Sequence, residues 1–208
     1  MAYSDFTFDS ATEKFALERE ERLSLFGQVA EVAPRQSLLE ILADNVPLGL
    51  AIGTEKARSE TMIAPVLIEA RRLTDYGVSL FSGTEFNVDP SQGLNGYCDF
   101  IVSASREQFT LRAPVLMIVE AKQENIPGGF GQCIAEMVAA RLFNRQKANG
   151  LTMIYGAVTT GDNWRFLKLD GQTILIDKQQ YQISQTGKLI GILLEIFQAK
   201  PLAQAKAA

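Results

Sequence analysis

The spacing of apolar positions changes along the chain, and the elements follow from it. Over residues 11–44, Phe15, Leu23, Phe26 and Val29 fall near helical spacing, so this stretch reads as mostly helical and amphipathic. Pro34 breaks it before "SLLEILADN". Ile63, Val66, Leu67, Ala70 and Leu73 mark one face of a further helix that Gly77 ends, and Pro65 inside that pattern predicts a kink or a late start. The pattern then shortens to strands. "VSLF", "EFNV", "YCDFIVS", "VLMIVEA", "LTMIYGAVTT", "WRFLKL" and "TILID" are short β-rich runs divided by Gly, Asp and Asn. Between the fourth and fifth runs, Phe130, Ile134, Met137, Val138, Arg141 and Leu142 suit one amphipathic helix started by glycines. "GKLIGILLEIFQ" predicts an apolar helix packed on the sheet, and "AKPLAQAKAA" a frayed tail. This order predicts one α/β or α+β domain over 1–208, with a mixed β-sheet flanked by helices.

Composition narrows the chemistry. The 208 residues can build a sizeable core, and 47% hydrophobic with 21% charged residues is ordinary for a folded protein. The formal net charge of −4 excludes a globally basic binder, so a polyanion partner must meet a local basic patch or metal ions. The chain has no histidine, which removes Ser-His-Asp and Cys-His catalysis and every His-dependent zinc site. Cys98 and Cys133 lack the spacing of a metal motif and read as buried thiols. With no signal-like start and no apolar stretch approaching a membrane span, a cytoplasmic protein is expected.

The chemistry-bearing residues cluster on two strands. In "PVLMIVEAKQE" the apolar run Val115–Val119 fits a strand buried in a sheet. It ends in Glu120-Ala121-Lys122, whose two charges leave the same face because side chains alternate along a strand. Upstream, Tyr97, Asp99 and Ile101 would share one strand face, and Cys98, Phe100 and Val102 the other. Pairing of these neighbouring strands would bring Asp99 beside Glu120 and Lys122 at one sheet edge. Mg²⁺ takes one or two carboxylates, keeps several waters and accepts phosphate oxygens, so Asp99 and Glu120 are its candidate ligands. Lys122 would stabilise charge developing at phosphorus or orient the nucleophile.

Asp99, then Glu120-x-Lys122, then a helix bearing Gln132, resembles the PD-(D/E)xK nuclease superfamily, and is similar to the nuclease domains of type I restriction subunits. The resemblance implies a restriction-endonuclease-like core over about 55–170, between an N-terminal helical extension (1–54) and a C-terminal strand and helix (171–208). It implies a Mg²⁺-dependent phosphodiester hydrolase, with Mn²⁺ as a substitute, acting on nucleic acid, most readily DNA. Relatives working as dimers or in larger assemblies leave room for a homo-oligomer. Gln132 would position water or phosphate, with Glu136 one turn later on the same face. Glu60 best matches the family's N-terminal glutamate, and Glu69 is the second choice. Cys98 stands where the motif's name has proline.

Each residue also has a plainer reading. Glu-x-Lys at a strand end can be a structural ion pair, Glu60 a solvated helix residue and Gln132 a cap of the glycine loop. Trp164 and Phe166, with Lys168, read as sheet packing before a base-stacking platform. Arg71, Arg72, Arg141, Arg145 and Lys147 are ordinary solvated charges unless they line a nucleic-acid path. A catalytically silent member of the fold, binding nucleic acid or a protein partner, is the alternative function.

Overall fold

The computed structural model describes residues 1–147, 151 and 153–199. The tail from position 200 onward, and parts of the 148–152 connection, lie outside the described residues.

An eight-stranded mixed sheet organises the chain: β1 (Glu18–Glu20), β2 (Ser79–Glu85), β3 (Tyr97–Ser103), β4 (Val115–Ala121), β5 (Ile154–Thr159), β6 (Asn163–Asp170), β7 (Thr173–Ile176) and β8 (Tyr181–Gln182). The spatial order is β1-β7-β6-β5-β4-β3-β2, with β8 also paired to β6. The β2–β3–β4 meander is antiparallel, and β4 and β5 are parallel, joined by the helical crossover α5 (Phe130–Gln146). The other helices are α1 (Phe8–Lys14), α2 (Gln36–Ile52), α3 (Glu55–Arg58), α4 (Ala64–Leu73) and α6 (Thr186–Phe197). The expected α/β class with a mixed, helix-flanked sheet is therefore observed. Among the described residues no helix is long and apolar enough to cross a membrane.

One apolar cluster lies on each face of the sheet. Phe100, Val102, Met117 and Val119 pack with α4 and α6 on one side, and Ile101, Ile118 and Val158 with α5 on the other. The face read from Ile63, Val66, Leu67 and Ala70 is buried. α5 is buried on nearly every side rather than one, because Tyr3, Phe6 and α1 cover the side the sheet leaves free.

The helix before the meander starts and restarts. A π turn over Ser59–Ile63 links α3 to α4, and Ala64 N–H reaches back to the Ser59 carbonyl. This is the physical form of the irregularity expected at Pro65. Proline has no N–H for the Thr61 carbonyl four residues back, and Asn45 Nδ2 on α2 donates to it instead at 3.0 Å.

The stretch 11–44 differs from its helical reading. α1 ends at Lys14, Ala16 turns through φ 51°, and β1 pairs in parallel with β7 before an irregular segment leads to α2. Leu23 is exposed while Phe26 inserts into the core, so their spacing is not a helix face. β1 forms through main-chain bonds to a strand remote in sequence, which local periodicity cannot show. β2 takes in most of "VSLF" and runs on to Glu85, distorted at Gly83 with φ 58°, so the rest of the expected "EFNV" strand, Phe86 to Val88, lies beyond it. Segments outside 55–170 thus supply β1, β7 and β8 and cover α5.

Candidate active site

The site forms where β4 ends, β3 begins and α5 starts, at the carboxyl ends of the parallel pair β4–β5, where open α/β sheets leave a crevice. In the β3–β4 register, Phe100 pairs with Val119 and Ile101 with Ile118. The next step brings Asp99 beside Glu120. Regular pairing lapses there: the Ala121 N–H donates to the Asp99 carboxylate at 2.7 Å. On the outer side Gly83, in a left-handed conformation, stands between the Ser82–Phe100 and Thr84–Cys98 pairs. The alternation expected along β3 fails across this point. Cys98 packs in the cluster of Ile101, not with Phe100 and Val102.

Lys122 extends the β4–β5 ladder by one residue, its N–H donating to the Thr159 carbonyl at 2.8 Å. Its Nζ forms a very close ion pair with Glu120 Oε1 and donates to Gln132 Oε1 at 3.2 Å. The Gln132 Nε2 donates in turn to Glu136 Oε1 at 3.1 Å. The glycines before α5 have a specific use here. A Cβ on Gly129 would stand 2.6 Å from Val158 Cγ1 and 3.0 Å from Lys122 Cγ, so only glycine leaves room for the lysine stem. "PGG" forms a short 3-10 turn that leads into α5.

Burial sets the electrostatics. Desolvation, reinforced by Asp99 and partly offset by Lys122, pushes Glu120 up from 4.5 to about 8. The same burial raises Asp99, against the Ala121 N–H, Lys122 and a hydrogen bond with the Glu120 carboxyl. Glu136 is raised well above the usual carboxylate range by burial and by Glu120. Burial alone would lower Lys122, but Glu120, with Glu55 and Asp99 behind it, carries its pKa upward. The ammonium is therefore kept charged among acids.

Asp99, Glu120, Lys122 and Gln132 thus converge as the sequence suggested. Glu60 does not join them: it is exposed, pairs with Lys56 at 3.1 Å and stands on the wall of a cavity of about 220 Å³ that Asp99 also lines. Glu55 comes closer. It lines the same cavity, is half-buried, and interacts electrostatically with Lys122, Asp99 and Glu120. The legible signal for Glu55 is the Gly53-Thr54 pair: Gly53 ends α2 in a left-handed cap, and Thr54 accepts the Ala57 N–H to start α3. Glu69, the second choice, is 2% exposed and held by Arg35 and Arg72, both at 2.9 Å, as a structural ion cluster.

Trp164 and Phe166 are fully buried and stack at 6.1 Å, and Lys168 pairs with Asp170, so this group packs the sheet. Arg71 donates to the Val78 carbonyl, Arg72 to Glu69 and Arg141 to the Gly171 carbonyl, which commits all three to the fold.

A divalent cation can be tested against this arrangement. Glu120 is 1% exposed, and among the described residues its Oε2 has no donor; the neighbouring Asp99 carboxyl can partner it only through a shared proton or a cation. Asp99 adds a second carboxylate facing the cavity. Among the described residues no group of three or more His, Cys, Asp or Glu is placed as a complete cage. Two carboxylates with open positions suit Mg²⁺, which retains waters and takes phosphate oxygens. The residues fit the ion.

Comparisons with models of protein families, with curated proteins and with solved structures found no match for this chain.

Proposed function

We propose that the chain is a Mg²⁺-dependent nuclease with a restriction-endonuclease-like core, hydrolysing phosphodiesters of nucleic acid, DNA first among them, in the cytoplasm. The observation that supports this most is the close pair of buried carboxyls, Glu120 and Asp99, whose Glu120 Oε2 has no donor among the described residues, with Lys122 held at the same strand end. Asp99 and Glu120 would hold the ion, and Glu55 is the acid on the adjoining helix that tunes their charge. Mg²⁺, or Mn²⁺ in its place, supplies Lewis acidity and a more acidic bound water when held there. Lys122 offers its ammonium to charge developing on phosphate oxygens, in a pocket where burial strengthens the interaction. Gln132 holds that ammonium at a fixed point. With no histidine in the chain, proton transfer falls to carboxylates, lysine and water.

The test is Mg²⁺- or Mn²⁺-supported cleavage of plasmid, single-stranded DNA and RNA by wild type and Asp99→Asn. We expect cleavage by wild type and a loss of about a hundredfold or more in the variant. Absence of cleavage by folded wild type on all three substrates overturns the nuclease and favours a catalytically silent, nucleic-acid- or protein-binding member of the fold.

A further inference from the structure

We propose that Glu136 is a positioning residue, which sets the amide of Gln132 and through it the ammonium of Lys122. The three groups form one chain: Lys122 Nζ to Gln132 Oε1 at 3.2 Å, then Gln132 Nε2 to Glu136 Oε1 at 3.1 Å. An amide can present either its oxygen or its NH₂ to a neighbour. Presenting NH₂ to Lys122 would set donor against donor. Lys122, a donor only, takes the oxygen, and Glu136 Oε1, accepting from the NH₂ at the far side whether or not the acid carries its proton, holds the amide in that orientation.

The surroundings of Glu136 leave it no other polar task. It is fully buried, and among the described residues its one hydrogen bond is to Gln132 and its Oε2 has no partner. Cys133 on the same helix, Cys98 on β3 and Glu120 on β4 surround it, and the nearby Tyr3 hydroxyl is already donated to the Phe86 carbonyl. A buried acid with a single contact lowers stability relative to an apolar residue of like volume. Its presence is explained by the amide it orients. Groups that orient an active residue from behind, when removed, typically cost about 10–100-fold in function.

The geometry stands apart from the nuclease reading, and only its catalytic consequence rests on that reading. The test is the ¹H–¹³C signal of the Lys122 ε-methylene in lysine-labelled full-length protein, assigned by its loss in Lys122→Met. Glu136→Leu should move that signal and leave the melting temperature unchanged or higher. Glu136→Gln keeps an acceptor for Gln132 and should leave the signal in place. Gln132→Leu should move it as Glu136→Leu does, and adding Glu136→Leu to Gln132→Leu should change nothing further. A Lys122 signal unmoved in Glu136→Leu, or moved equally by Glu136→Gln, overturns the proposal. So does an additive effect of the two Leu substitutions. Where wild type cleaves, Glu136→Leu should lower kcat about tenfold or more, with Glu136→Gln restoring it. Inactive wild type refutes the nuclease and leaves the lysine signal to decide the role of Glu136.

Discussion

Lys122 is the residue on which binding and catalysis separate. Replacing it with methionine keeps the stem that lies against Gly129 and removes the charge. Because both carboxylates stay in place, cation binding should persist while cleavage falls about a hundredfold or more. Cleavage rates and Mn²⁺ titration of the same preparation measure both; full cleavage by the folded variant refutes the assigned role. Glu69 gives the contrasting case. Its hydrogen bonds with Arg72, against some desolvation and with further help from Arg35, lower its pKa from 4.5 to about 2. A depressed carboxylate contributes stability that is present above pH 4.5 and lost as pH falls through about 2, because the unfolded chain binds its proton first. Glu69→Gln should therefore lose stability at neutral pH, lose little more on acidification across that interval, and cleave as wild type does. Denaturant melts at neutral and acid pH check this; an unchanged acid limb sinks it.

Among the elements, the α3–π turn–α4 segment decides which acid meets the site. A π turn holds one residue more than an α turn, so side chains before it are turned by about 100° relative to those after it. That offset lies between Glu55, which reaches the charged cluster, and the α4 face that packs on the sheet. Asn45 holds the junction through the Thr61 carbonyl that Pro65 leaves open. Asn45→Ala should cost about 1–3 kcal/mol, the penalty for stranding a partly buried acceptor. Chemical denaturation measures it, and a change within error would show that water replaces the amide without loss.

For the whole molecule, the consequence is linkage between cation and fold. Asp99 and Glu120 are carried by separate strands that meet only in the folded sheet, so a cation held between them binds the native state and not the unfolded chain. Mg²⁺ should raise the melting temperature, by about 2.7 kcal/mol of apparent stability at a hundred times its Kd. Glu120→Gln should remove that rise; a rise of equal size in the variant would place the ion elsewhere.

Much of this molecule is local, and local features are what periodicity records. The buried run of β4, the charges on its last turn of pleat, the start of α5 with Gln132, the buried face of α4 and the absence of histidine all follow from residues near one another in the chain. The placement of Asp99 beside Glu120 needed the β3–β4 register, which the apolar pattern suggested. The broken alternation there depends on Gly83 of a third strand and on a side chain taking a main-chain donor. β1 and β8 are short strands made by main-chain bonds, which almost any side chain permits, so their sequences carry little trace of them. Glu55 and Glu60 are separated by the start of a π turn whose Thr61 carbonyl is bonded from α2 by Asn45, a contact between segments apart in the chain. The closure of α5 came from the N-terminal segment folding over it. The strand, the charges at its end and the exclusion of histidine chemistry can be read from residue order, because they depend on composition and on neighbours along the chain. Tertiary structure alone decided which acids meet and how deeply they are buried, because those depend on segments that share only space.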